Sequence, residues 1–170
     1  MPDRVREAIF NMLGSRYECP GQLPALTVAD VFAGSGSMGL EALSRGAGCC
    51  CFFERNDMAV AAIRQNLSEL RVGPEGVVVT RDAWTCAVST PDGAPFDLVF
   101  LDPPYADSDD TERDGRVRRY LQRLSEQGAG AGLVVLHHRA SVRFDLSDDE
   151  GWQVADRRTF GSNGVTFFQR

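Results

Sequence analysis

Asp102-Pro103-Pro104-Tyr105 is the segment whose residue types point most directly to chemistry. It follows an apolar run, Phe96 to Leu101, that reads as a strand. Two consecutive prolines fix φ and donate no amide hydrogen bond, while their carbonyls remain acceptors. The expected product is a rigid lip carrying one carboxylate, outward-facing carbonyl oxygens and one aromatic ring. That set suits a planar substrate with an exocyclic amine. Such an amine is a poor nucleophile, because its lone pair is delocalised into the ring. Acceptors at Asp102 and at the Pro103 carbonyl would localise the pair toward an electrophilic methyl group. Tyr105 would stack on the base, a contact worth about 1–3 kcal/mol. The plainer alternative is a proline-rich turn after a strand.

A second constellation lies upstream. Gly34-Ser35-Gly36-Ser37-Met38-Gly39 is a G-x-G-x-x-G that follows a strand-like run and opens a helix. Glycines there permit a sharp turn and a close approach of ligand to backbone. Glu54 ends the next strand, 20 residues after Gly34. An acid at that place can accept both hydroxyls of a ribose. A dinucleotide and S-adenosylmethionine both present such a ribose, and a dinucleotide also needs its pyrophosphate seated on the helix N-terminus. The lip at Asp102 has no use in hydride transfer, so it favours S-adenosylmethionine. Asp82, after the third strand, would accept from an adenine amino group, cap a following helix, or do both. Asp30, inside the first strand, is a charge in a buried setting and needs a partner. A cationic ligand group such as an α-ammonium is one candidate.

The elements that must position these residues alternate. Val5, Ala8, Ile9, Met12 and Leu13 fall on one helical face, with Asp3 as the expected N-cap. Strands are expected at Thr27–Phe32, Cys49–Phe53, Val77–Thr80, Phe96–Leu101 and Leu133–His137. Helices are expected at Leu40–Arg45, over the stripe Ala59 to Leu70, at Ala83–Val88, and over Val117 to Leu124. Pro91–Pro95 reads as a turn, and acidic Ala106–Gly115 as a mobile loop, with a lid as the alternative. Trp152–Thr159 and Val165–Gln169, joined by Gly161-Ser162-Asn163-Gly164, read as an antiparallel hairpin. Alternation followed by a hairpin means an α/β fold, mostly parallel, with helices on both faces.

Length and composition bound the rest. The chain has 170 residues, 43% hydrophobic and 25% charged, which suits one domain, residues 1–170, with a sizeable core. No apolar run is long enough for a transmembrane helix, and Met1 to Glu7 has no signal-peptide core. All 18 basic residues are arginine, against 24 acids, for a net charge of −6. That charge argues against a broad nonspecific nucleic-acid surface but permits a local arginine-lined one. Arg4, Arg6, Arg139, Arg157 and Arg158 are candidates for phosphate contacts, or ordinary surface arginines. Five cysteines without C-x-x-C spacing fit neither a disulfide framework nor a zinc site, so no metal is expected. Reduced thiols suit a cytoplasmic protein. His137 and His138 end the fifth strand, and core or rim packing accounts for them more simply than a general base.

At these residues the sequence resembles a known family. Asp30-Val-Phe-Ala-Gly-Ser-Gly36, Gly39-Leu-Glu-Ala-Leu-Ser-Arg-Gly46, Glu54, Asn66-Leu67 and Phe96 through Tyr105 look like the RsmD-type bacterial 16S rRNA guanine-N2 methyltransferases. Asp3 to Asn11 resembles that family's N-terminal helix, and the likeness covers nearly the whole chain. The resemblance implies a Rossmann-like S-adenosylmethionine-dependent fold with a seven-stranded sheet and an antiparallel C-terminal hairpin. It implies cofactor contacts at Asp30, Phe32, Gly34, Ser35, Gly36, Glu54, Arg55, Asp82 and Ala83. It places Asp102, Pro103, Pro104 and Tyr105 at a flipped base. The implied partner is 16S rRNA, free or in an assembling small subunit, met by a monomer. Family members carry a basic β-hairpin ahead of the Asp3 helix, and the sequence as it stands is expected to lack that arm. Asp-Pro-Pro-Tyr alone is shared with adenine and cytosine amino-methyltransferases, so an N6-adenine enzyme is the alternative. A non-catalytic cofactor-binding assembly module is a third reading.

Overall fold

Val5, Ile9, Phe10 and Leu13 are buried along one side of α1 (Asp3–Arg16), the side their spacing predicts. Asp3 is not its N-cap. Pro2 precedes the helix in extended conformation, and its carbonyl accepts from the amides of Val5 and Arg6. A residue with fixed φ and no N–H suits that place. Asp3 therefore falls in the first turn, where its carboxylate pairs with Arg6 at 2.9 Å.

The structure is a computed structural model that describes residues 1–86, 89–90, 93–126, 132–146 and 150–170. The chain divides into two compact units, Met1–Ala87 and Val88–Arg170. Seven strands, three in the first unit and four in the second, build a mixed sheet. No helix among the described residues is long and apolar enough to cross a membrane.

In the first unit α1 is followed by β1 (Thr27–Val31), α2 (Ser37–Ser44), β2 (Cys49–Phe53), α3 (Asp57–Glu69) and β3 (Gly76–Val79). β2 pairs with β1 on one side and β3 on the other, both in parallel. β1 and β2 are almost wholly buried, as the continuous apolar run of β2 and the mostly apolar run of β1 require. Helix α2 starts three residues before the expected Leu40, because Gly36, at φ 82°, turns the chain directly into it. It lies very close to β2. A methyl group on Gly39 would sit 2.5 Å from Cys50 Sγ and against the Phe52 ring. Cys50 and Cys51 are buried, and all five cysteines are free thiols. Burial, helped by the Asp30 charge, pushes the Cys50 thiol well up, so it stays protonated. The helix expected at Ala83–Val88 does not form over Ala83 to Cys86, which are turn. There the Asp82 carboxylate takes the Trp84 amide and the Asp82 carbonyl takes those of Thr85 and Cys86, the bonding of a capped single turn. Ala87 and Val88 lie outside the described residues.

The second unit holds β4 (Leu98–Leu101), α4 (Tyr105–Ser108), α5 (Arg116–Glu126), β5 (Leu133–Arg139), β6 (Gln153–Phe160) and β7 (Asn163–Gln169). β4 and β5 are parallel, whereas β7 runs antiparallel to both β5 and β6. The tail is thus the expected hairpin, with Phe160 opposite Asn163 across the turn. The expected loop at Ala106–Gly115 is corrected at its start: Tyr105 to Ser108 form a helical turn. Pro104 fixes the entry, and its carbonyl accepts from the amides of Asp107 (2.9 Å) and Ser108 (3.2 Å). Arg118 on α5 forks onto both oxygens of Glu150 (2.9 and 2.6 Å) and also reaches the carbonyls of Thr111 and Asp145. Of the expected Pro91–Pro95 turn, Pro91 and Asp92 lie outside the described residues. Around them the Gly93 amide reaches the Thr90 carbonyl and the Thr90 amide the Ala94 carbonyl.

Candidate active site

The first unit carries the glycine loop between β1 and α2. Phe32 leaves β1 with φ 62°, a costly conformation for a bulky side chain. Its ring packs on Trp84, with centroids 4.6 Å apart. Gly34 and Gly36 follow at φ 55° and 82°, and the space beside the Gly34 α-carbon is open. The loop is pinned from two sides and closed by a turn bond of its own. Its Gly34 amide donates to Glu54 Oε2 (2.9 Å), the Asn66 side chain donates to the Ser35 carbonyl (3.1 Å), and the Gly36 amide donates to the Ala33 carbonyl (2.8 Å). Glu54 Oε1 takes the amides of Arg55 and Asn56, each at 2.8 Å. Arg55 in turn reaches Asp82 at 2.8 Å. Asp82 also takes the Trp84 amide, so the capping role proposed from sequence is seen in turn form. Ala83 is buried beside it.

Asp30 is 1% exposed, and its carboxylate accepts the Gly39 amide at 2.9 Å. The N-terminal turn of α2, rather than a ligand cation, is the partner seen here. A carboxylate is stabilising at a helix N-terminus. These bonds bear on which ligand the loop fits. The Gly34, Gly36 and Gly39 amides are spent, two of them on carboxylates. A pyrophosphate would meet spent donors and two nearby negative charges. A neutral ribose, a sulfonium and an ammonium would meet no such conflict. The donor and acceptor set therefore fits S-adenosylmethionine better than a dinucleotide.

The second unit carries the Asp-Pro-Pro-Tyr segment after β4. Pro103 is buried, and among the described residues no amide takes its carbonyl. The Pro104 carbonyl is consumed by α4, so only one of the two expected outward acceptors is offered. Asp102 Oδ1 lies 2.7 Å from His137 Nδ1, and His137 Nε2 lies 2.9 Å from Asn163 Oδ1. The Tyr105 hydroxyl donates to the same Asn163 oxygen at 3.3 Å. Arg139 stands 4.4 Å from the centre of the Tyr105 ring and pairs with Asp109 at 3.0 Å. Tyr105 is 37% exposed, so part of its surface is available for stacking. His138, next to His137, is instead tied to the Thr166 hydroxyl and the Arg139 carbonyl. Burial pushes its imidazole down, so it is neutral.

Within the first unit, the structure groups Glu54 with Gly34 and Arg55 with Asp82. Within the second it groups Asp102, Tyr105 and Arg139 around His137 and Asn163. Arg4 is exposed on α1, while Arg6 is held by Asp3 and lies 4.0 Å from Glu41. Sequence reasoning passed over Asn163, which read only as a turn residue, and Trp84. It favoured packing for His137, whose partner lies 35 positions away. No local pattern announces such a contact. Among the described residues there is no cluster of His, Cys, Asp or Glu able to hold a metal ion.

The chain is similar to several known proteins. A Bacillus subtilis protein named putative rRNA methyltransferase YlbH is 33% identical over 172 residues, covering 99% of this chain and 85% of the relative. The Escherichia coli K12 protein named ribosomal RNA small subunit methyltransferase D is 29% identical, covering 99% of this chain and 77% of the relative. A solved structure described as putative methyltransferase yhhF from Escherichia coli superposes with a TM-score of 0.76 at 28% identity, covering 99% of this chain and 85% of that one. The Synechocystis PCC 6803 magnesium protoporphyrin IX methyltransferase, solved with bound SAM, matches with a TM-score of 0.69 at 16% identity over 98% of this chain and 78% of that one, and so shares the fold alone. The family described as Conserved hypothetical protein 95 matches residues 1–169, and the chain belongs to that family, the RsmD type of methyltransferase.

Proposed function

We propose that this chain transfers a methyl group from S-adenosylmethionine to the exocyclic N2 amine of a guanine in small-subunit rRNA. The observation that carries the reading is the pair of acceptors at the end of β4, the Asp102 carboxylate and the unspent Pro103 carbonyl. Membership of a family whose curated relatives are named rRNA methyltransferases supports it. When bound, the cofactor supplies an electrophilic methyl group on a sulfonium. Glu54 accepts from the ribose hydroxyls, and Asp82 accepts from the adenine amino group. Gly34 and Gly36 let the ligand lie against the main chain, and Phe32, Ser35, Arg55 and Ala83 line the same stretch. Asp102 and the Pro103 carbonyl each accept one hydrogen of the substrate amine. That turns the nitrogen lone pair away from the base ring and toward the methyl carbon. The nitrogen–carbon bond would form as the methyl–sulfur bond breaks, with that electron pair left on sulfur as a neutral thioether, and the Asp102 carboxylate would take the proton the nitrogen sheds. Tyr105 stacks on the extruded base, with Arg139 backing its ring. Arg4, Arg6 and Arg139 contact phosphates. The chain acts as one catalytic domain, as a monomer, in the cytoplasm, on 16S rRNA in an assembling or assembled small subunit.

The test is methyl transfer from labelled S-adenosylmethionine to unmethylated small subunits, with the product base identified. N2-methylguanine is the expected product. N6-methyladenine would replace the substrate assignment. Tight cofactor binding without any transfer would overturn the reading in favour of a binding module.

A further inference from the structure

Asp102 does not stand alone on its lip. We infer that His137 is the positioning residue for Asp102 and sets the direction in which the carboxylate presents itself to the substrate amine. The inference rests on the methyl-transfer reading above and extends it to a residue outside the Asp-Pro-Pro-Tyr motif.

The argument starts at Asn163. Its Nδ2 donates to the Phe160 carbonyl at 3.3 Å, which only accepts. Its Oδ1 therefore faces the other way, toward the Tyr105 hydroxyl and His137 Nε2. His137 Nε2 meets that oxygen at 2.9 Å. The other ring nitrogen lies 2.7 Å from Asp102 Oδ1, a short hydrogen-bond distance. His137 is thus fastened at both ends, and it is 3% exposed. Its ring cannot swing, and with Oδ1 held, neither can the carboxylate plane. The fold makes this arrangement from β-sheet register. His137 follows Leu136, the partner of Leu101, on the strand beside Asp102, and Asn163 is the partner of Arg139, two residues along the same face of β5. Tyr105 shares the Asn163 anchor, so the carboxylate and the stacking ring are referred to one fixed point.

Two substitutions separate positioning from mere packing. An asparagine amide can take the place of Nδ1 beside Asp102, and a glutamine amide that of Nε2 beside Asn163. In the small-subunit assay, His137→Gln is expected to lower kcat at least tenfold, with KM for the subunits and cofactor affinity within twofold of wild type. His137→Asn is expected to recover kcat severalfold above the glutamine variant. Equal losses in the two variants, or wild-type kcat in His137→Gln, would overturn the inference. A proton NMR readout does not depend on turnover or on the variants of His137 folding. Wild type should show a low-field imidazole N–H resonance that disappears in Asp102→Asn, and identical spectra would overturn the contact. A wild-type chain that transfers no methyl group overturns the methyl-transfer reading itself. Transfer by wild type with unaffected His137→Gln overturns only the role of His137.

Discussion

Glu54 shows how one side chain can serve the fold and a ligand together. Its two oxygens accept three main-chain amides, from Gly34, Arg55 and Asn56, and so tie the glycine loop to the end of β2. Hydrogen bonds to a charged acceptor contribute about 1.5–3 kcal/mol each. Glu54→Ala should weaken S-adenosylmethionine binding by roughly 10- to 150-fold, read by titration calorimetry. An unchanged affinity would take Glu54 out of the site. Asp102 makes the opposite case. Its partner in the second unit is His137, and nothing proposed for it concerns the cofactor. Asp102→Ala should leave cofactor affinity within about twofold and lower turnover by more than tenfold, or over 1.4 kcal/mol. Turnover at the wild-type level would rule out Asp102 as an acceptor for the amine. The contrast with Asp30 is useful. It is as buried as any core residue, yet its visible work is to cap α2, so burial of an acid does not by itself mark a ligand contact.

The α2–β2 contact is where an element depends on one residue. Gly39 lets the helix approach Cys50 and Phe52, and its amide reaches Asp30 across the same gap. Gly39→Ala adds a methyl group where there is no room. Overpacking of this kind costs about 1–3 kcal/mol, to be read as a lower midpoint in urea. Stability at or above wild type would mean that α2 can shift without penalty. The sequence made much of this arrangement readable. Mostly apolar runs marked β1, β2 and β4, and glycines marked the loop, because both signals are local. The Gly161–Gly164 stretch marked the hairpin turn for the same reason. Gly164, however, has a second role that needs the partner strand. It lies opposite His138, and a side chain there would strike the imidazole. The Asp102–His137–Asn163 chain was unreadable likewise, since it joins three strands through register and not through spacing. Over the described part of Ala83–Val88 the capping signal at Asp82 was legible, but Ala83 to Cys86 make only a single turn.

At the scale of the whole molecule, net charge and buried histidine respond to acid in opposite directions. The chain carries a net charge of −6 and a sequence pI of about 4.9, so lowering the pH toward 5 removes self-repulsion and favours the compact state. His138 acts against that gain. Its ring is buried among Thr166, the Arg139 carbonyl and the edge of Phe144. The Arg139 carbonyl fixes the hydrogen on Nδ1, and Nε2 accepts from the Thr166 hydroxyl. Desolvation by burial holds the imidazole below its ordinary value, with smaller contributions from the nearby charges of His137 and Arg157. The unfolded chain therefore takes up a proton first, near pH 6.5. The stability that depends on neutral His138 is complete above that pH and is lost as pH falls through the lower folded-state value. His138→Asn keeps a donor toward the Arg139 carbonyl and cannot titrate, though it leaves the Thr166 hydroxyl without its acceptor. The variant should be less stable than wild type at about pH 8, and the gap should narrow by about pH 5. Thermal melts of both proteins across that range measure it. A gap that stays constant or widens toward acid would mean that His138 is not held neutral by its surroundings.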